Sequence, residues 1–154
     1  ENILYSIDSY ETIYLIDFGL SLCYCDSEGC HNKQKNNREI VGSINFISTN
    51  IHEGITASRR DDLISICYVI IYLLYGDLPW NINKLKETSI TNLYNTIYDI
   101  KKCIDINNYY KNIPKNITLC YEYCNGLRYD DEPDYNYLCR LLKSIRINNL
   151  KMNQ

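Results

Sequence analysis

The sequence predicts a mainly helical fold, in which a short β-hairpin precedes a helix bundle built around one buried central helix. Three observations predict it. Every residue from Leu63 to Tyr75 except Ser65 is apolar or aromatic, which is typical of a helix buried on all sides. Apolar residues recur at helical spacing between Lys115 and Leu127 and again after Pro133. Two short apolar runs separated by polar residues stand near the beginning of the chain.

The first elements are predicted to be two strands, Ile3 to Tyr5 and Ile13 to Ile16, joined by a polar turn from Ser6 to Glu11. Residues 20–45 show almost no apolar periodicity, so we expect a long irregular loop there. Loops of this length in compact domains are often functional.

The central helix is predicted from Ser58 to Tyr75. Ser58 and Asp61 have the spacing of a capping box, with Asp in place of Glu, and Asp61 and Asp62 favour the helix dipole. Gly76 supplies the stop. A membrane span is the competing interpretation, but the apolar stretch falls short of the roughly 20 residues that a span requires. We therefore expect a core helix on which the other elements pack.

Further helices are predicted along the rest of the chain. Lys84 to Cys103 is interpreted as one or two amphipathic helices, and Lys115 to Leu127 as another. Pro133 suits the first turn of a last helix. The apolar side of that helix is predicted to contain Tyr137, Leu138, Leu141, Leu142 and Ile145. We expect one domain over residues 1–147, followed by a polar tail over residues 148–154.

Composition excludes several classes of partner. The chain has 154 residues, a net charge of −3 and a pI of about 5.4. It shows no basic surface for nucleic acid and no polybasic membrane tether, so we expect neither partner. The length suits one domain with a core of its own, and we expect a monomer.

The eight cysteines leave three interpretations open. A disulfide framework is disfavoured because no signal peptide or small secreted pattern is visible. Cys23, Cys25, Cys30 and His31 could supply four ligands to a zinc ion. However, these residues lie just after Asp17, where a structural zinc site would obstruct the access of a substrate. The favoured interpretation is reduced thiols that act as small hydrophobic side chains, since Cys67 and Cys139 have apolar neighbours and Cys120 and Cys124 are one helical turn apart.

The heptad from Tyr14 to Leu20, Y-L-I-D-F-G-L, is the strongest candidate for a functional site. Its apolar strand delivers Asp17 to the strand end, and Gly19 then allows the backbone to turn. A carboxylate so placed suits Mg²⁺, which proteins hold through one or two carboxylates together with phosphate oxygens. Asp-Phe-Gly after a strand is the magnesium-holding (DFG) element of protein kinases, in which a catalytic-loop asparagine holds a second ion. Asn2 stands upstream at about the distance that a short hairpin requires.

Several discriminating motifs follow in order along the chain. They are Gly42-Ser43, Ser48-Thr49-Asn50-Ile51-His52, Ser58-Arg59-Arg60-Asp61-Asp62-Leu63, Gly76-Asp77-Leu78-Pro79-Trp80, and Leu127-Arg128-Tyr129-Asp130-Asp131-Glu132-Pro133-Asp134-Tyr135. This ordered set resembles the casein kinase I family of Ser/Thr protein kinases, including its vaccinia-related branch, over nearly the whole chain. The S-R-R-D-D-L and L-P-W blocks are far more specific than Asp-Phe-Gly.

The resemblance implies the fold of a protein-kinase C-terminal lobe, with ATP and Mg²⁺ as cofactors of the intact protein. The catalytic-base aspartate, the strand lysine and the Gly-rich loop of the family would all precede Glu1, so the N-terminal lobe is absent from this chain. Asn2 and Asp17 would hold Mg²⁺ and, through it, the nucleotide. Ser43, where the family usually has threonine, would place its hydroxyl near the acceptor of the substrate. Asp62 matches the aspartate that ties down the catalytic loop, and we expect it to be buried and hydrogen-bonded.

The resemblance also implies an anion site at Arg59 and Arg60, with Lys84 or Lys86 as the third cation. Guanidinium groups match phosphate geometry through paired hydrogen bonds, so acidic or prephosphorylated protein substrates would bind there. The alternative is an exposed pair of charges. Structural roles are expected for the remaining matched residues, which are Gly19, Asp62, Trp80 and Arg128.

The function implied is transfer of the ATP γ-phosphoryl group to Ser or Thr of proteins by a non-specific Ser/Thr kinase. The alternative is a non-catalytic, pseudokinase-like interaction module. We expect an intracellular location, in the cytoplasm or the nucleus. A viral origin is compatible with the resemblance. The chain by itself is expected to be inactive and marginally soluble, because its nucleotide-facing side would be uncovered.

Overall fold

The computed structural model describes residues 2–9, 12–86 and 89–145. It is mainly helical with one small sheet, which confirms the predicted fold class at that level. The chain forms two compact units, residues 1–32 and residues 33–154. The predicted polar tail over residues 148–154, and the boundary at residue 147, lie outside the described residues.

The first unit contains an antiparallel hairpin of β1 (Ile3–Tyr5) and β2 (Ile13–Leu15). Both strands were predicted, but the predicted second strand, Ile13 to Ile16, was one residue longer than β2. Ile3 pairs with Leu15 and Tyr5 pairs with Ile13. The predicted irregular loop begins after the hairpin. In this unit it includes one isolated bridge, between Cys25 and His31.

Within the described residues, every regular element of the second unit is a helix, and residues 33–48 before the first of them are irregular. Two of its helices, α1 and α4, have only four residues and were not predicted, because one helical turn is too short to show periodicity. In chain order the elements are α1 (Thr49–His52), α2 (Arg59–Tyr75), a 3₁₀ turn (Ile82–Lys84), α3 (Ile90–Cys103), α4 (Ile106–Tyr109), α5 (Lys115–Gly126) and α6 (Tyr135–Lys143).

The central helix α2 ends at Tyr75 as predicted and begins at Arg59, one residue after the predicted start, with Ser58 as its N-cap. Asp61 Oδ2 accepts a hydrogen bond from the backbone N–H of the N-cap Ser58 at 2.9 Å. Gly76 ends the helix in the left-handed conformation, with φ of 73°, which favours glycine. The prediction that no side of α2 faces solvent was wrong. Ile66 is 49% exposed and Leu73 is 71% exposed, so the helix has one open apolar face.

The core lies where α2 packs on α5, which in turn packs on α6. Tyr68 and Ile71 of α2 are fully buried, as is Trp80 in the segment that follows. Most of the predicted apolar side of α5 faces this core, and so do four of the five residues predicted for α6; the fifth, Tyr137, contacts the ring of Tyr123 instead. Pro133 precedes the last helix instead of lying in its first turn. The N-cap is Asp134, whose Oδ1 accepts from Tyr137 N at 2.8 Å.

Candidate functional site

The hairpin brings Asn2 and Asp17 to the same open end of its two strands. Ile16 N donates to Asn2 O at 3.0 Å, which continues the strand pairing by one step beyond Ile3 and Leu15. Asp17 is the next residue along the chain. Both side chains are exposed, and their hard oxygen atoms are the ligand type that Mg²⁺ prefers. The donor set of this candidate metal centre therefore fits the cation that the sequence predicted.

The backbone of Asp17 is in an uncommon conformation. Its φ is 63°, in the left-handed region, where a residue other than glycine is strained unless its surroundings compensate. Asp17 Oδ1 accepts from Gly19 N at 3.3 Å, which leaves the second carboxylate oxygen for another ligand. A Cβ at position 19 would lie 3.3 Å from the same Oδ1, so glycine leaves this oxygen room.

Ser43 lies in a tight turn of the second unit, with its side chain exposed. Its carbonyl accepts from Phe46 N at 2.8 Å and from Ile47 N at 3.1 Å. Gly42 before it has φ of 110°, and a Cβ there would lie 2.9 Å from Ile47 Cγ2. The turn thus presents the Ser43 hydroxyl to solvent, while the residues after it enter the core.

The buried carboxylate at the start of α2 is Asp61, and the expectation that Asp62 takes this role was wrong. Asp61 is 0% exposed, and its Oδ1 accepts from Ser48 Oγ at 2.6 Å and Asn50 Nδ2 at 2.9 Å. Its Oδ2 accepts from Ser58 N. Asp62, one residue on, points to the exposed side of α2. Partial desolvation and the neighbouring Asp61 raise the pKa of Asp62.

The two arginines of the predicted anion site are bonded to the loop before α6. Arg59 Nη2 donates to Asp130 O at 3.2 Å, and Arg60 Nη1 donates to Leu127 O at 3.1 Å. Arg60 also lies 3.8 Å from Asp61 through its Nε. These bonds fix the loop to α2, so both guanidinium groups have a structural role beside any role in anion binding.

The two candidate lysines have different surroundings. Lys84 is ion-paired with Asp77, which also accepts from Asn81 Nδ2 at 2.6 Å. Lys86 is exposed. Of the two, Lys86 is therefore the one whose charge is not offset by a described carboxylate, and the pairing of Lys84 argues against Lys84 as the third cation.

Trp80 lies in the core, whereas Arg128 lies at the surface. Trp80 is fully buried, donates through Nε1 to Asn45 O at 2.8 Å, and meets the Tyr68 ring edge-on at 4.8 Å. Arg128 is ion-paired with Asp131 at 2.9 Å on the surface of the loop before α6.

Lys101 of α3 is a residue that the sequence analysis missed. It is 2% exposed, and burial lowers its pKa to about 7. Burial and the neighbouring Lys101 lower the pKa of His52 to about 4. Lys101 and Lys102 also contribute to an open cleft of about 470 Å³ between α1, α3 and α5. The dipeptide Lys101-Lys102 gave no sign of this, because such pairs usually lie at the surface.

The cysteines divide into two groups, and all eight are free thiols. Cys67, Cys120 and Cys124 are buried in the core, as predicted, whereas Cys139 is exposed, which corrects its predicted apolar surroundings. Across residues 2–9, 12–86 and 89–145, no group of three or more His, Cys, Asp or Glu side chains is placed to hold a metal ion. The structure therefore does not gather Cys23, Cys25, Cys30 and His31 into a zinc site.

The comparison with protein families gave no assignment, since no family model matches the chain. Among the helices of the described residues, none combines the length and apolar character that crossing a bilayer requires.

Proposed function

We propose that the chain belongs to a Ser/Thr protein kinase of the casein kinase I type, which transfers the γ-phosphoryl group of ATP to protein hydroxyl groups. The observation that carries the proposal is the placement of Asn2 and Asp17 at one end of a hairpin, with Asp17 in a left-handed backbone conformation. Strained residues of this kind concentrate at functional sites, where surrounding contacts hold them. The ordered motifs downstream, from Gly42-Ser43 to the Pro133 block, support the same proposal.

Each residue of the site has a defined task in this proposal. Asp17 offers the carboxylate oxygen that Gly19 N leaves unbonded, and Asn2, at the same end of the hairpin, offers its side-chain oxygen. When bound, Mg²⁺ neutralises the charge that develops on the transferring phosphoryl group. Ser43 offers an exposed hydroxyl that would orient the acceptor of the substrate. Positioning and electrostatics supply nearly all of the catalysis in this reaction, so small displacements of Asp17 would be costly.

The first test of the proposal uses the 154-residue chain and Mn²⁺, which favours the same oxygen ligands as Mg²⁺. Paramagnetic broadening of amide signals should be strongest at Asn2 and Asp17 and should disappear in Asp17→Ala. The matched control is Asp8→Ala, because Asp8 is an exposed aspartate in the turn at the other end of the hairpin. Broadening that is equally strong at Asp8, or that survives in Asp17→Ala, would contradict the proposed metal centre.

The second test measures catalysis in the chain expressed together with any coding sequence that is found in frame before Glu1. Asp17→Asn should lower phosphate transfer to casein by about two orders of magnitude or more, the scale for losing one electrostatic stabiliser. Asp8→Asn should leave transfer unchanged. If that protein has no transferase activity while Asp17 binds Mn²⁺, the pseudokinase-like interaction module becomes the better description.

A further inference from the structure

A buried amine without a carboxylate partner lies at the centre of the second unit. Lys101 Nζ donates to Ile44 O at 2.8 Å and to Ile47 O at 2.7 Å, and lies 3.3 Å from His52 Nε2. Among the ion pairs of residues 2–9, 12–86 and 89–145, none includes Lys101. A buried ammonium without a counterion is unfavourable, so this position favours the neutral amine.

Two aromatic rings complete the surroundings of Lys101. Its Nζ lies 5.2 Å from the centroid of the Tyr68 ring and 5.4 Å from that of Trp80. Trp80 in turn donates to Asn45 O. Lys101 and Trp80 thus hold three carbonyls of one short segment, those of residues 44, 45 and 47. This segment directly follows Ser43, so the same bonds determine how the turn at Ser43 is held.

The hydrogen bonds around Lys101 can be satisfied in both of its protonation states. A neutral amine donates its two N–H groups to the two carbonyls, and its lone pair accepts from His52 when Nε2 carries the proton. A protonated amine has a third N–H and needs Nε2 as an acceptor, which requires the other tautomer of His52. Proton uptake at Lys101 therefore changes the tautomer of His52 and places in the core a charge that the carbonyls and rings offset in part but no described carboxylate neutralises.

We propose that Lys101, His52 and Trp80 form a proton-responsive joint, in which proton uptake by Lys101 loosens residues 44–47 from the helical core. The lowered pKa of Lys101, about 7, places the transition near neutral pH. His52 does not compete for the proton in this range, because its pKa is about 4. The proposal does not rest on the proposed kinase function.

Other ionisable groups surround the joint. Tyr68 of α2 lies against Lys101 Nζ, and Tyr94 and Tyr98 of α3 lie against the His52 ring. The adjoining cleft is lined by Glu53, Lys102, Tyr121 and Glu122. Glu53 is ion-paired with Lys102 at 3.6 Å, at the exposed edge of the cleft. Tyr68 Oη lies 3.5 Å from Tyr121 Oη, and burial holds the pKa of Tyr68 well above its usual range. Both tyrosines are thus engaged with each other.

The test uses Trp80, the only tryptophan of the chain, as an internal probe. A charge that appears 5.4 Å from the indole ring changes its emission. When the 154-residue chain is titrated from about pH 6 to about pH 9, the plot of Trp80 emission against pH should therefore show an inflection near pH 7. The inflection should disappear in Lys101→Met. It should persist in Lys102→Met, the exposed neighbouring lysine, and in His31→Gln, which removes the other histidine.

A second measurement, amide hydrogen exchange, reports directly on residues 44–47. The amides of Phe46 and Ile47, which donate to Ser43 O, should have protection factors against hydrogen exchange several-fold lower at pH 6 than at pH 8. This difference should be absent in Lys101→Met. If that variant fails to fold, the ¹³Cε signals of lysines in the unmodified chain decide the question, since one of them must titrate near pH 7.

Three results would overturn the proposal. One is an emission profile that is flat across the neutral range. Another is an inflection that survives in Lys101→Met. The third is a set of lysine signals that all titrate above about pH 9.

Discussion

Replacing the two adjacent aspartates at the start of α2 separately should have very different effects on stability. Asp61 accepts hydrogen bonds from Ser48 Oγ, Asn50 Nδ2, Ser58 N and Ser58 Oγ, and its removal leaves these four donors without this acceptor. Hydrogen bonds to a charged group contribute about 1.5–3 kcal/mol each. Removing the carboxylate also removes its own desolvation cost, which offsets part of the loss.

The expected net cost of Asp61→Ala is therefore about 3–5 kcal/mol of unfolding free energy, the range for breaking a buried charged network. Asp61→Asn should cost less, about 2 kcal/mol, because the amide oxygen can still accept from Ser48 or Asn50 while its NH₂ group faces Ser58 N–H. Asp62→Asn should change stability by less than about 0.5 kcal/mol, since Asp62 lies on the exposed side of α2.

Urea unfolding at pH 7, followed by the fluorescence of Trp80, measures all three variants against the unmodified chain. Equal losses for Asp61→Asn and Asp62→Asn would refute the assignment, and a larger loss for Asp62→Asn would restore the expectation from sequence. A double-mutant cycle between Asp61→Asn and Ser48→Ala should give a coupling energy of about 1 kcal/mol or more, because the two side chains are 2.6 Å apart.

Two further predictions concern Lys101 and the turn before Ile47. The pKa of Lys101 is about 7 in the folded chain and 10.5 as the reference for the unfolded chain, so the unfolded chain binds more protons between these values. The free energy of unfolding should therefore rise between pH 7 and about pH 8.5, by at most about 1.4 kcal/mol per pH unit. Urea unfolding of Lys101→Met should show no such rise. Gly42→Ala should cost about 1–3 kcal/mol, because the backbone has φ of 110° and the new Cβ would lie 2.9 Å from Ile47 Cγ2. The matched control, Gly126→Ala, meets open space in α5 and should be neutral or slightly stabilising by thermal unfolding.

The elements that were predicted correctly carry their signals within a few consecutive residues. The Ser58 and Asp61 spacing, the apolar run and Gly76 together define α2, and all are local features. The hairpin was likewise predicted from two apolar runs and the polar turn between them. Its pairing then brings Asn2 beside Asp17, as the spacing of the two residues suggested.

The orientation of individual side chains was harder to predict. The identical neighbours Asp61 and Asp62 differ only in which side of α2 they occupy, and the donors at Ser48 and Asn50 decide this from outside the helix. The exposure of Leu73 could not be predicted either, because an apolar residue type does not indicate whether another element packs over it. Cys139 was misjudged for the same reason.

The sequence by itself determined the hairpin, both ends of α2 and the later helices α5 and α6, because caps, periodicity and strand turns act between near neighbours. The metal ligands Asn2 and Asp17 stay a prediction from the motif that they share with protein kinases. The tertiary structure alone decided that Lys101 is buried among His52, Tyr68 and Trp80. Its acceptors at Ile44 and Ile47 are more than fifty residues away in the chain. Contacts over such separations depend on how whole helices pack, and no local pattern of residue types records that packing.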